Sequence, residues 1–129
     1  MMKKVLILDN DESVLDVMNE ALAYEGFAVK TLENSDNIFH EIESFGPDLV
    51  IVDYILNGVD GGEVCQQIKV DNKTSNLPVM LMSAYPKVFK PLKDYGCDDF
   101  IAKPFDLDDF VVRIKKLMND GMNKNLHAI

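Results

Sequence analysis

The 129-residue chain is predicted to be an α/β protein, a doubly wound five-stranded parallel sheet made from a βα unit repeated five times. Three continuous apolar runs carry that prediction: Val5-Leu6-Ile7-Leu8, Leu49-Val50-Ile51-Val52 and Val79-Met80-Leu81-Met82. A strand covered on both faces has no polar side to alternate with, so it shows as an unbroken apolar run. Segments of helical period lie between the runs. Strands separated by crossover helices belong in a parallel sheet with helices on both faces. The length suits one domain, with a core large enough to fold without metal or disulfide staples.

The elements follow in order. After the first run, Val14, Met18, Ala21 and Leu22 fall at i, i+4, i+7 and i+8 of a helix. Phe27 to Thr31 is a less uniformly apolar strand, as suits a sheet edge. Ile38, Ile42 and Phe45 mark a second helix, closed by Gly46-Pro47. Val64 and Ile68 mark a third, from about Gly62 to Val70. Lys87 to Tyr95 is expected to be a short helix disturbed by Pro86 and Pro91. Phe100-Ile101-Ala102 is the second edge strand. Leu107, Phe110, Val111, Ile114 and Leu117 make the clearest stripe, with Asp106 as N-cap, acids in the first turn and Arg113, Lys115 and Lys116 toward the end. The domain is expected to span 1–119. Residues 120–129 show no convincing period and are expected to be a frayed tail.

Charge narrows the function classes. Thirteen basic and 22 acidic residues leave a net charge of −9. That argues against a nucleic-acid or anionic-membrane surface, because phosphate binding needs clustered Lys and Arg. The apolar run before Asp9 is too short for a signal-peptide core or a membrane span. Cys65 and Cys97 form no CxxC and no zinc spacing, and are expected to be two free thiols in a reducing, cytoplasmic compartment. Gly58, Gly61 and Gly62 match neither GxGxxG nor GxxxxGK[ST], so a nucleotide cradle is not expected.

In doubly wound sheets, ligands bind beyond the carboxyl ends of the strands. Asp9-Asn10-Asp11-Glu12 follows the first strand, Asp53 the third, Ser83 the fourth, and Lys103-Pro104 the fifth. One acid after a strand is usually a helix cap, but four such groups together point to a site. Packed carboxylates call for a hard divalent cation with oxygen ligands, Mg²⁺ first. A lysine and a hydroxyl beside them suit a multi-oxygen anion. The set fits phosphoryl transfer to a carboxylate nucleophile.

The segments VLILDNDES, PDLVIVDYILNGVDGGEV, PVMLMSA and GCDDFIAKPF, in that order, resemble the response-regulator receiver domains of bacterial two-component signalling. The likeness runs from about Lys3 to Leu117. It implies a flavodoxin-like strand order, 2-1-3-4-5. It implies that Asp53 is the phospho-accepting aspartate, that Ser83 is the switch hydroxyl, and that Lys103 pairs with the acyl phosphate. Asp9 matches the first acid of the family's metal-binding pair. Asn10 stands where the second acid is usual. Ile55 matches the position whose carbonyl completes the Mg²⁺ shell, and Asp60 and Gly61 match the loop beyond the phosphorylation site. Phe100 matches the switch aromatic, and Lys103-Pro104 is implied to be cis. Ile55 and Tyr85 match the positions that tune hydrolysis of the acyl phosphate.

The function so implied is a stand-alone receiver, a signalling domain with self-catalysed phosphotransfer and autodephosphorylation. It would take a phosphoryl group from a histidine kinase or phosphotransfer histidine, directly or in a phosphorelay. It would signal to a protein partner through its fourth helix, fifth strand and fifth helix. Two alternatives stand beside it. A binding-only receiver would have lost its metal chemistry at Asn10. A haloacid-dehalogenase-type phosphatase is resembled by Asp9-Asn10-Asp11-Glu12-Ser13, with Asp9 as nucleophile and Asp11 as acid/base. Against the latter, Ser13 replaces Thr or Val, the chain is short, and no GDxxxD-like segment follows the lysine.

Overall fold

The apolar runs become central strands because only the middle of a sheet hides both faces of a chain. In the computed structural model, which describes residues 2–56, 58–85, 87 and 96–127, the main sheet is formed by β1 (Lys4–Leu8), β2 (Ala28–Leu32), β3 (Leu49–Asp53), β6 (Val79–Ser83) and β7 (Asp99–Ala102). The five strands are parallel, in the order β2-β1-β3-β6-β7. Without the hairpin between β3 and β6, this is the expected 2-1-3-4-5. β2 and β7 are the edges, as their mixed composition predicts.

Side-chain alternation divides the core in two. Val5, Ile7, Leu49, Ile51, Met80 and Met82 face α1 (Glu12–Tyr24) and α4 (Leu107–His127), meeting Met18, Leu22, Phe110 and Ile114. Leu6, Leu8, Val50, Val52, Val79 and Leu81 face α2 (Ile38–Phe45) and α3 (Gly61–Val70), meeting Ile38, Ile42, Val64 and Ile68. Fully burying one such aliphatic side chain is worth about 1.5–3 kcal/mol, so the two layers fix the register of every central strand. Local signals set the helix ends. Asp11 caps α1 by accepting from the N–H groups of Ser13 and Val14. Gly46 ends α2 at φ 66°, a left-handed turn that glycine adopts without strain. The Asp106 carboxylate accepts from Asp108 N–H at 2.7 Å.

Three features differ from the sequence expectation. A two-stranded hairpin, β4 (Ile55–Leu56) and β5 (Val59–Asp60), follows β3 where a loop was expected. Helical backbone continues to His127, through most of the expected tail; beyond Gly121 that stretch contains no strong helix breaker. Cys65 and Cys97 are paired as a disulfide with Cα atoms 6.2 Å apart, which corrects the expectation of free thiols. Sulfurs 32 positions apart give no local signal of proximity, and only the packing of α3 against the entry to β7 brings them together. The short helix expected over Lys87 to Tyr95 lies, from residue 88 on, outside the described residues. Among the described residues no helix is long and apolar enough to cross a membrane.

Candidate functional site

The strand registers align Leu8 with Val52, Asp53 with Met82, and Ser83 with Ala102. Asp9, Asp53, Ser83 and Lys103 therefore emerge at one edge of the sheet, each as the last residue of its strand or the next one. Parallel pairing alone brings them together across 94 residues of sequence between Asp9 and Lys103.

Lys103 sits at the centre. Its Nζ donates to Asp9 Oδ2 at 2.6 Å and lies 3.1 Å from Asp53 Oδ1. Asp9 is fully buried and Asp53 is 8% exposed. The second Asp9 oxygen, Oδ1, accepts from Asp11 N–H at 3.0 Å. Ser83 is buried, and its hydroxyl oxygen accepts from Tyr85 N–H at 2.8 Å. The Lys103 N–H donates to Ser83 O at 2.8 Å, and the Lys103–Pro104 bond is cis. An open groove of about 550 Å³ runs beside Lys103, walled by Val14, Val17, Pro104, Phe105 and Leu107 among others.

Gly61 holds the floor of the site. Its N–H donates to Tyr54 O at 2.6 Å. A Cβ there would collide with the Asp53 carbonyl oxygen and come within 2.9 Å of Tyr54 Cα. No side chain fits without moving the backbone that aims Asp53.

The protein-family comparison matches residues 5–115 to the response regulator receiver domain. The chain belongs to the response regulator receiver family. Among curated relatives it is 29% identical over 119 residues to the DNA-binding dual master transcriptional regulator RpaA of Synechocystis, covering 91% of this chain and 49% of that protein. It is 28% identical to the phosphate regulon transcriptional regulatory protein PhoB of Rhizobium meliloti, covering 92% of this chain and 53% of that one. The chain thus spans about half the length of the curated relatives it matches. Among solved structures, the response regulator TrrA of Thermotoga maritima in complex with Mg(2+)-BeF aligns at TM-score 0.81 and 29% identity, over 90% of this chain and 99% of that one. A CheY-like receiver protein from Methanospirillum hungatei aligns at TM-score 0.85 and 23% identity, over 96% and 99%, and speaks for the fold.

In this receiver, charge and burial work against each other. Burial pushes the Asp53 carboxyl above the usual aspartate range, the neighbouring Asp9 charge adds to the push, and Lys103 opposes it. Burial pushes the Lys103 ammonium down, but its bonds to Asp9 and Asp53 outweigh that and the net shift is upward. Lys103 stays charged. Asp11 is exposed and committed to its cap: Oδ1 accepts from Ser13 N–H at 3.0 Å and Ser13 Oγ at 2.6 Å, which holds its carboxyl below the usual range. The receiver match overturns the phosphatase alternative, which gave Asp11 the acid/base role.

The remaining predicted residues surround this centre. Asn10 is exposed in the turn between β1 and α1. Ile55 opens the hairpin two residues after Asp53 and is 47% exposed; Tyr85 is 58% exposed. Asp60 caps α3 by accepting from Gly62 N–H at 2.7 Å. Phe100 is half-buried on β7 opposite Leu81, and its carbonyl accepts from Arg113 at 3.0 Å. Sequence reasoning assigned Lys103 to a phosphoryl partner and missed its bond to Asp9. It also missed the hairpin, although Asn57-Gly58 between two short apolar stretches is a strong turn signal.

In metal-free protein, the Asp53 carboxyl is expected to titrate above an ordinary aspartate, and Asp9→Asn to lower its midpoint, both read by carboxyl-carbon NMR. The sign for stability follows. An acid whose folded pKa is raised stabilises the fold below its unfolded pKa and loses that contribution as pH rises through the folded value. An unchanged midpoint in Asp9→Asn would contradict the charge coupling.

Proposed function

We propose that Asp53 accepts a phosphoryl group from a phosphohistidine of a histidine kinase or phosphotransfer protein. The observation that carries this is the Lys103 ammonium, held between the buried carboxylates of Asp9 and Asp53. An Asp53 oxygen attacks phosphorus, the P–N bond breaks, and the imidazole leaves with its electron pair and takes up a proton. Lys103 is already within reach to meet the phosphoryl oxygens and offset their charge. The apolar walls of the groove beside Lys103 favour a protein donor, which can bury them. The net charge of −9 favours a protein target over nucleic acid. A cytoplasmic location suits a kinase-fed signalling domain.

The donor chemistry fits Mg²⁺, because the candidate ligands among the described residues are oxygens: the Asp9 and Asp53 carboxylates, with the Asn10 amide and the Ile55 carbonyl as further candidates. When bound, the ion would neutralise charge between carboxylate and phosphoryl oxygens. After transfer, a phosphoryl oxygen competes with the Tyr85 carbonyl, which accepts from the Ser83 hydroxyl at 3.4 Å, for the hydroxyl proton. Ser83 and Phe100 lie on adjacent strands and, by alternation, on one face. Withdrawal of Ser83 toward the phosphoryl group frees space for Phe100 to turn inward, a shift between two populations. Ile55 and Tyr85 flank the approach of water to the acyl phosphate, where an apolar side chain and a large ring slow its attack.

Incubation with Mg²⁺ and a small phosphodonor is expected to add one phosphoryl mass to wild type and to Asp9→Asn, more slowly in the latter, and none to Asp53→Asn. Labelling that persists in Asp53→Asn would refute the assignment. Absence of labelling in wild type would favour the binding-only reading that Asn10 motivates. Asn10→Asp is expected to bind Mg²⁺ more tightly by titration, since it restores one formal charge of attraction; equal or weaker binding would count against the argument. Ile55→Asn and Tyr85→Ala are each expected to lose phosphate faster than wild type. Unchanged or slower loss in both would remove the shielding role.

A further inference from the structure

We infer that Cys65 and Cys97 are a redox-responsive pair, closed by a hydroperoxide and opened by a dithiol, that restrains the strand carrying Phe100. The link to Phe100 rests on the switch role proposed above. The closure of the pair does not.

The two sulfurs differ in access. Cys65 is fully buried in α3, packed in the layer formed with Val64, Ile68 and Leu81. Cys97 is half-buried at the entry to β7. One thiol can meet an oxidant, and the other is protected and placed to resolve it. Their Cα atoms are 6.2 Å apart, within the span of a disulfide.

A non-covalent frame holds them there independently. Asp98 follows Cys97. Its carboxylate accepts from Lys69 Nζ at 2.9 Å and from Val79 N–H at 2.8 Å, while its own N–H donates to Val79 O at 2.9 Å. Lys69 lies one turn beyond Cys65 on α3. This largely buried ion pair keeps the thiols adjacent after reduction, so the bond re-forms at high effective concentration. A core of this size does not need the bond to fold. In a reducing compartment such a pair is transient and responsive rather than a permanent staple.

The chemistry balances with a hydroperoxide as oxidant. The Cys97 thiolate attacks the distal peroxide oxygen and the O–O bond breaks. The alkoxide leaves and takes a proton, and Cys97 becomes a sulfenic acid. The Cys65 thiolate attacks that sulfur, hydroxide leaves as water, and the disulfide forms. Two thiols and one hydroperoxide give one disulfide, one alcohol and one water. Two exchanges with a dithiol restore both thiols.

The consequence lies three residues along the chain. Phe100 packs against the same layer as Cys97, Tyr54 and Leu77. The closed pair ties the entry of β7 to α3 and opposes any inward turn of Phe100. With the pair open, the Asp98–Lys69 ion pair still joins that entry to α3.

The test uses the full chain, with Cys97→Ser and Cys65→Ala as separate variants so that a folding defect in one does not decide the result. Hydrogen peroxide is titrated while intact mass and thiol alkylation are followed, then dithiothreitol is added. The expected result is loss of both thiols together in wild type, reversed by dithiothreitol. Cys97→Ser is expected to keep its Cys65 thiol. Phe100 ring signals are then compared before and after phosphodonor in both redox forms. The response of the reduced form is expected to exceed that of the oxidised form by about fivefold, the low end of coupling between two sites. Independent oxidation of single thiols to higher acids, or equal Phe100 responses in the two forms, would overturn the proposal. Failure of Asp53 to label in either form would instead remove the phospho-accepting reading and the link to Phe100 with it, while the thiol titration still decides whether the pair closes.

Discussion

Lys103 donates to Asp9 at 2.6 Å and stands 3.1 Å from Asp53, and the charge balance at the mouth of the sheet rests on those two contacts. Two carboxylates this deeply buried repel each other, and the Asp9 charge adds to the upward push that burial gives Asp53; the ammonium between them opposes it. Under the proposed function the same side chain would also meet the phosphoryl oxygens, so one group would serve both the resting site and its change of charge. A buried pair of this kind gives little net stability against an apolar alternative. Its value here is a strongly polar centre held in a fixed geometry.

The backbone around that centre leaves little freedom. Asp53 ends the most central strand, and Gly61 closes against its carbonyl so tightly that no other residue fits. The Ser83 hydroxyl is held by Tyr85 N–H, and the Ser83 carbonyl by Lys103 N–H. Across the next strand, Phe100 is reached by Arg113 of α4, which bonds its carbonyl as well as Asp99. A displacement of the Ser83 hydroxyl therefore has a short route to β7 and α4.

How much of this was legible in the sequence depended on the range of the interaction. Val5 to Leu8, Leu49 to Val52 and Val79 to Met82 announce central strands because burial on both faces imprints itself on consecutive residues. Asp11, Asp106 and Gly46 announce helix ends because caps are local. Asp9, Asp53, Ser83 and Lys103 were visible as a set because each follows its strand directly. What escaped was set by tertiary contact or by a weak local cue. The Lys103–Asp9 bond depends on how deeply Asp9 sinks, and the Cys65–Cys97 pairing on the seating of α3. The hairpin rests on strands of two residues, too short for any periodicity, and α4 runs on past its apolar stripe.

The central claim is that Lys103 neutralises ionised carboxylates at the site, and chemical denaturation of Lys103→Met against wild type over a pH series, in magnesium-free buffer, tests it most directly. A raised lysine pKa contributes stability at neutral pH that is lost only as pH rises through its folded value. Protonation of Asp53, whose carboxyl lies above the usual range, removes part of the same contribution in acid. Lys103→Met is therefore expected to be less stable than wild type by roughly 3 kcal/mol at neutral pH, and the gap to close as pH falls through the carboxylate range. A gap that stays constant with pH, or a variant as stable as wild type at neutral pH, would contradict the account.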